Sequence, residues 1–199
     1  AAGAFPVGLF GIRGTGDLAG LRGAGFDAAQ SYLRDAAGLL ALAREASRQG
    51  ITLLGSSAGP VRYLADEPEV AGMAPAELCR RYAELKRLEP STKAAVAFGS
   101  GKAVAAYKDC TDIVMVDWYP VPHLPLDSVA GQLDEARRAA GGKPVWMILQ
   151  AFDWRDFPQR DPKKPRVGRF PDFREIRFMT YLSIIHGAEG IFYYTLAKP

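Results

Sequence analysis

Histidine and cysteine are scarce in this chain. Two histidines, His123 and His186, are too few for a histidine-built metal centre. Two cysteines, Cys79 and Cys110, have neither zinc-ligand spacing nor the number a disulfide framework needs, so a buried pair of free thiols is expected. No apolar run approaches the length of a membrane span, and no membrane partner is expected. A glycine-rich phosphate loop is also missing. Gly11-Ile-Arg-Gly14-Thr-Gly16 has the wrong spacing for a dinucleotide cradle and reads as an ordinary strand–helix turn. Neither a metal nor an organic cofactor is implied. Charge of one sign is lacking as well: 25 Lys and Arg against 22 Asp and Glu leave +3, with the signs mixed along most of the chain. The exception is Arg160-Asp-Pro-Lys-Lys-Pro-Arg166 with Arg169, taken as a solvated loop. A nucleic-acid surface needs a broader basic stripe interleaved with aromatics, so no nucleic-acid partner is expected. No signal peptide is visible, and the chain opens almost directly on a strand. Removal of an upstream leader would make the protein secreted or periplasmic.

The residues that are present alternate between strand and helix patterns. Strands are expected over 5–12, 26–32, 51–55, 61–67, 93–98, 112–119, 144–150 and 190–195. Helices are expected over 17–25, 33–49, 74–88, 102–108, 127–140 and from Asp172 to His186. Leu39, Leu40, Leu42, Ala43 and Ala46 recur at helical spacing, and Gly50 stops that helix. Pro75 sits in a first turn, Gly141-Gly142 ends another helix, and Asp172-Phe-Arg-Glu175 forms a capping box. Eight strands separated mostly by helices make one (β/α)8 barrel over residues 1–199 the expected fold. Two helices are expected to be absent, after strands three and eight. The Ser56–Pro60 link is too short for a helical crossover, although an extended link of that size reaches about 20 Å. Bare outer faces near Leu53, Leu64 and Phe192 would follow, leading to self-association or to cover by neighbouring helices.

The acidic run Asp66-Glu67-Pro68-Glu69 closes the apolar run that begins at Val61. Pro68 cannot donate to a ladder and keeps Glu67 out of helical geometry, so the strand ends here with Glu67 at its C-terminal lip. In a parallel barrel that lip carries catalysis. Glu69 suits the start of a following helix, where negative charge is favoured. Asp66 is expected to support Glu67 from the opposite strand face. Asp117 ends the apolar run Ile113-Val-Met-Val116, where a carboxylate is costly unless it is paired or reaches the open mouth. Trp118, Tyr119, Trp154 and Tyr194 lie near strand ends, and their ring faces suit sugar stacking. Trp146 lies within its strand and suits the core.

With these strands in place, Tyr63-Leu-Ala-Asp-Glu-Pro-Glu69 resembles the strand-four motif of the large clan of retaining glycoside hydrolases built on an eight-stranded barrel. Asp117-Trp-Tyr-Pro120 is similar to the sugar-facing segment after strand six in such barrels. Gly187-Ala-Glu-Gly-Ile-Phe-Tyr-Tyr194 is similar to their entry into strand eight. The resemblance implies a carbohydrate ligand and a general acid/base role for Glu67. It also implies a nucleophilic glutamate at the end of strand seven, where this chain has Gln150. An amide cannot form a glycosyl ester. Asp117 is then the second carboxylate, with Asp153 a nearby substitute, and Gln150, Asp153 and Trp154 join the residues facing the sugar. Gln150→Glu would re-form the acid pair on this reading. The alternative is a catalytically silent barrel that binds glycan or serves only as a scaffold.

Overall fold

The computed structural model describes residues 5–157 and 167–196. Its eight strands are β1 (Val7–Leu9), β2 (Ala28–Gln30), β3 (Thr52–Gly55), β4 (Val61–Asp66), β5 (Lys93–Phe98), β6 (Ile113–Trp118), β7 (Val145–Gln150) and β8 (Ile191–Tyr194). Each pairs in parallel with its sequence neighbour, and β1 pairs with β8, so the sheet closes into the expected barrel. Because every pairing is parallel, all eight C-terminal strand ends open at one mouth.

Five α-helices run between the strands: α1 (Ala36–Arg48), α2 (Pro75–Leu88), the single turn α3 (Val104–Tyr107), α4 (Ser128–Ala139) and α5 (Phe173–Ile185). Each longer helix turns a narrow apolar stripe to the sheet: Leu39, Leu42 and Ala46 from α1, and Val129, Leu133 and Ala136 from α4. Asp35 caps α1 by accepting the Gly38 N–H at 2.6 Å. Asp172 and Glu175 form the capping box of α5, each side chain accepting the other's backbone N–H at 2.9 Å. Between β1 and β2 the expected helix shrinks to a 3-10 turn over Thr15–Leu18. The β5–β6 link is split into α3 and two flanking 3-10 turns.

Alternation along the strands separates two cores. Phe10, Tyr63, Met115, Trp146, Ile148 and Phe192 fill the barrel interior, and Trp146 stacks on Phe192 at 5.4 Å. Gly8 makes room for that stack, since a Cβ there would lie 2.1 Å from the Phe192 ring. Val96, Phe98, Val114, Val116, Met147 and Leu149 face outward and pack against the helices.

The β3–β4 link carries no helix, as its length implied. It folds back tightly at Gly59, whose φ of +101° and 2.6 Å approach to the Leu53 carbonyl exclude a side chain. The expected bare faces are not where the missing helix suggested. Leu53 is fully covered by α1, Phe192 points into the barrel, and Leu64 packs half-buried on the outer core. The largest exposed apolar side chains are instead on α5, at Phe173 and Ile185.

The cysteines also depart from expectation. Cys79 of α2 and Cys110, just before β6, form a disulfide with Cα atoms 4.4 Å apart. Their 31-residue separation hid a pairing that exists only because α2 packs on the turn leading into β6.

Candidate active site

Strand β4 does not end as a regular strand. Its register against β5 slips between Tyr63 and Ala65, so Leu64 is an extra residue. Glu67 then takes a φ of +41°, the only positive φ outside glycine among the described residues. This left-handed backbone is strained for a side chain, at a cost of about 1–3 kcal/mol, and it persists only where the surroundings enforce it. Here the Glu67 N–H donates to the Ala97 carbonyl at 2.9 Å, and the Glu67 carbonyl accepts from Val70 and Ala71 at 3.0 and 2.9 Å. The bulge and the turn have a chemical result. Asp66 and Glu67, which strict alternation would place on opposite faces, both line the same cavity.

That cavity, about 360 Å³, lies at the C-terminal mouth of the barrel, within the size range of small-molecule sites. Asp66, Glu67 and Asp117 line it together with Tyr119, Trp154 and Tyr194. Asp117 follows Ile113 and Met115 on the inward face of β6 and is 7 % exposed. Its carboxyl faces that of Glu67 within reach of a hydrogen bond, and its Oδ1 is buried with no hydrogen-bond partner among the described residues. Burial, the Glu67 carboxyl and the charge of Asp66 together hold the Asp117 carboxyl well above the usual carboxylate range. Asp117 therefore keeps its proton where a free carboxyl has lost it. Asp66 accepts hydroxyl hydrogen bonds from Tyr63 at 2.5 Å and Tyr32 at 3.2 Å. Burial raises its pKa and the Glu67 charge adds to the rise, while the two tyrosine bonds act against it.

A second recess of about 220 Å³ shares Glu67, Asp117, Tyr119 and Trp154 with the first and adds Gly99, Trp118 and Leu124. The acid pair therefore stands in the wall between two recesses. Glu67 approaches the β5 end closely enough that a Cβ on Gly99 would lie 3.1 Å from its Oε1. Glu69, expected only to favour a helix start, ties the same loop down by accepting the Gly99 N–H at 2.7 Å.

The aromatic wall is one packed unit. Phe152 is buried behind it and meets Tyr119, Trp154, Phe157 and Tyr194 edge-on at 4.7 to 5.7 Å. Tyr194 stacks on Tyr119 at 5.7 Å and on Phe157 at 6.2 Å. Phe10, Tyr32, Phe152 and Phe157 line the cavity but were not singled out from the sequence. Phe10 and Tyr32 follow the ends of β1 and β2, so the strand-end rule that found Tyr119 and Tyr194 also covers them.

Two residues expected at the sugar-facing surface are placed elsewhere. Gln150 lies at the barrel mouth but is fully buried and does not line the cavity. Its Oε1 accepts the Val121 N–H at 2.8 Å, and its Nε2 donates to the Val121 and Phe152 carbonyls at 2.9 and 3.1 Å. The amide clamps the loop after β6, next to the cis Val121–Pro122 bond. Asp153 caps the 3-10 turn Trp154–Asp156 and pairs with Arg155 at 2.5 Å, outside the cavity lining. Trp118 donates its indole N–H to Ser128 at 2.9 Å and reaches only the second recess. His123 bonds through Nε2 to the Val167 carbonyl at 2.9 Å, and Arg169 pairs with Glu175. The solvated loop expected at 160–166 lies outside the described residues. Among the described residues no group of three or more His, Cys, Asp or Glu is arranged to hold a metal ion, and no helix is long and apolar enough to cross a membrane.

No family model matches the chain, and no curated protein matches it significantly in sequence. Its fold is similar to several solved structures. An active-site mutant of the Rhizomucor miehei β-1,3-glucanosyltransferase in complex with laminaritriose has a TM-score of 0.64 at 10% identity, covering 94% of this chain and 85% of that one. A putative α-L-fucosidase from Bacteroides thetaiotaomicron has a TM-score of 0.65 at 9% identity, covering 98% and 88%. A β-glucuronidase from an uncultured Clostridium sp. has a TM-score of 0.65 at 12% identity, covering 95% of this chain but 43% of that one. At these identities the likeness is one of fold: this chain has the eight-stranded barrel on which these carbohydrate-active enzymes are built.

Proposed function

We propose that this barrel acts on a carbohydrate, holding a glycosidic bond across Glu67 and Asp117. The observation that carries this reading is the position of the acid pair, in the wall between two recesses floored and sided by aromatic rings. A glycoside has that shape, with one ring on either side of the bond to be cleaved. Its two-carboxyl chemistry needs one acid and one carboxylate. Asp117, which burial keeps protonated, passes its proton to Glu67 as the ligand enters; Glu67 gives that proton to the leaving oxygen, and Asp117, then ionised, stabilises the charge growing on the ring or activates water. Hydrolysing pairs stand about 5 to 10 Å apart, which leaves room between them for the sugar or for water.

Fold likeness to a glucanosyltransferase and to glycosidases supports a carbohydrate ligand. The Cys79–Cys110 disulfide suits an oxidising compartment outside the cytosol.

A second reading is a barrel that binds glycan without cleaving it. Gln150 favours it, because the end of β7 offers a saturated amide where the resembling enzymes carry a nucleophile. A screen of aryl glycosides and oligosaccharides separates the two. On the first reading the wild type releases aryl alcohol and Glu67→Gln binds sugar without releasing it. Binding by both proteins with release by neither supports the second reading. No binding and no release by either overturns both.

A further inference from the structure

The cavity contains three carboxyls, from Asp66, Glu67 and Asp117, and no lysine, arginine or histidine among its described lining residues. Asp112, by contrast, pairs with Lys86 at 2.6 Å. Among the described residues Asp66 accepts from two neutral tyrosine hydroxyls, and Oδ1 of Asp117, a cavity-lining residue 7 % exposed, has no partner. An orphaned carboxyl oxygen in a low-dielectric recess is costly, and the donor that would best satisfy it carries positive charge. The rest of the wall has the same preference. Tyr119, Trp154 and Tyr194 line it, and the quadrupole of an aromatic ring attracts an ammonium.

Resting on the carbohydrate reading above, we propose that the sugar ring taken into this cavity is an amino sugar with a free, protonated amine. Its ammonium donates to Asp117 Oδ1 and Asp66 while the ring stacks on the aromatic wall. The three ammonium hydrogens suit a site with several carboxyl acceptors and no cation among its described lining residues. A uronic acid brings a fourth carboxylate into a site with no cation among the described lining residues. An N-acetylated ring replaces the charge by a neutral amide of greater bulk. A neutral hexose makes the stacking contacts and leaves the orphaned oxygen with only a hydroxyl.

The test is calorimetric titration of the whole chain at pH 6 with methyl glycosides of glucosamine, N-acetylglucosamine, glucose and glucuronic acid. Cyclohexylamine serves as a cation without a sugar. The amine glycoside is expected to bind at least tenfold more tightly than the glucoside, with the glucuronide weakest. Asp66→Asn is expected to bring the amine-to-glucoside affinity ratio down toward one. Equal affinity for glucoside and amine overturns the inference but leaves the carbohydrate reading standing, as does preference for the glucuronide. Binding of cyclohexylamine as tight as that of the amino sugar overturns the sugar assignment. Binding of none of the four glycosides overturns both the inference and the reading beneath it.

Discussion

Glu67 follows β4 and Asp117 lies on β6, strands that are not neighbours, yet their carboxyls line one cavity across the short side chains of β5. Ala95 and Ala97 are the inward residues of β5, and Gly99 follows beyond its end. Larger side chains there would stand between the two acids. The bulge at Leu64 and the left-handed turn at Glu67 complete the approach from β4.

The buried Asp117 should make stability depend on pH. Its folded-state pKa is raised, so above the ordinary carboxylate range the unfolded chain binds fewer protons than the folded one. This stabilising effect is complete below about pH 4 and is lost as pH rises through the folded-state value. Asp117→Asn removes the titration. Thermal unfolding should show the variant gaining on the wild type from pH 4 to pH 8, and a constant difference across that range would count against a raised Asp117 pKa.

Backbone strain at Glu67 predicts an inverted glycine effect. At an ordinary position glycine is less stable than alanine by roughly 0.5–1 kcal/mol. At a φ of +41° the order should reverse, with Glu67→Gly more stable than Glu67→Ala by about 1 kcal/mol. Denaturant unfolding of the two variants measures it. Neither should cleave a glycoside that the wild type cleaves.

Gln150→Glu, which the resemblance to retaining hydrolases marks as a route to activity, should instead damage the protein. The amide nitrogen donates to two backbone carbonyls, and a carboxylate there would face both acceptors without a hydrogen to give. A loss of about 2–4 kcal/mol is expected from a buried charge left against acceptors. Activity should fall rather than rise. Wild-type stability together with new glycosidase activity would show that the end of β7 is free to face the sugar.

The Cys79–Cys110 disulfide closes a chain segment with a sequence separation of 31 and should contribute about 3–4 kcal/mol by restricting the unfolded chain. Reduction, or Cys79→Ala with Cys110→Ala, should lower the melting temperature by roughly 10 °C. The acid pair is held by other strands and should keep its activity at low temperature.

Much of the barrel was legible because its signals are local. The capping box at Asp172 and Glu175, the stripe of Leu39, Leu42 and Ala46, and the proline after Glu67 each act within a few residues. Placing Asp117 at the mouth needed only strand alternation. What escaped depends on packing between distant segments. Alternation assigned Asp66 and Glu67 to opposite faces, and the left-handed turn at Glu67 brought them to one cavity. Gln150 stands where a sugar-facing side chain was expected, but Val121, brought beside it by the loop after β6, takes both ends of its amide. Cys79 and Cys110 looked like free thiols because nothing in their spacing shows that α2 packs on the turn before β6.

The pH–rate profile of glycoside cleavage, measured for the wild type, Glu67→Gln and Asp117→Asn on one aryl glycoside, tests the central claim most directly. A pair that must be singly protonated predicts a bell-shaped wild-type profile. Each variant should lose about 10²-fold or more of the activity and one or both limbs of the bell. Wild-type cleavage that survives both substitutions with its profile unchanged would place the chemistry outside this pair.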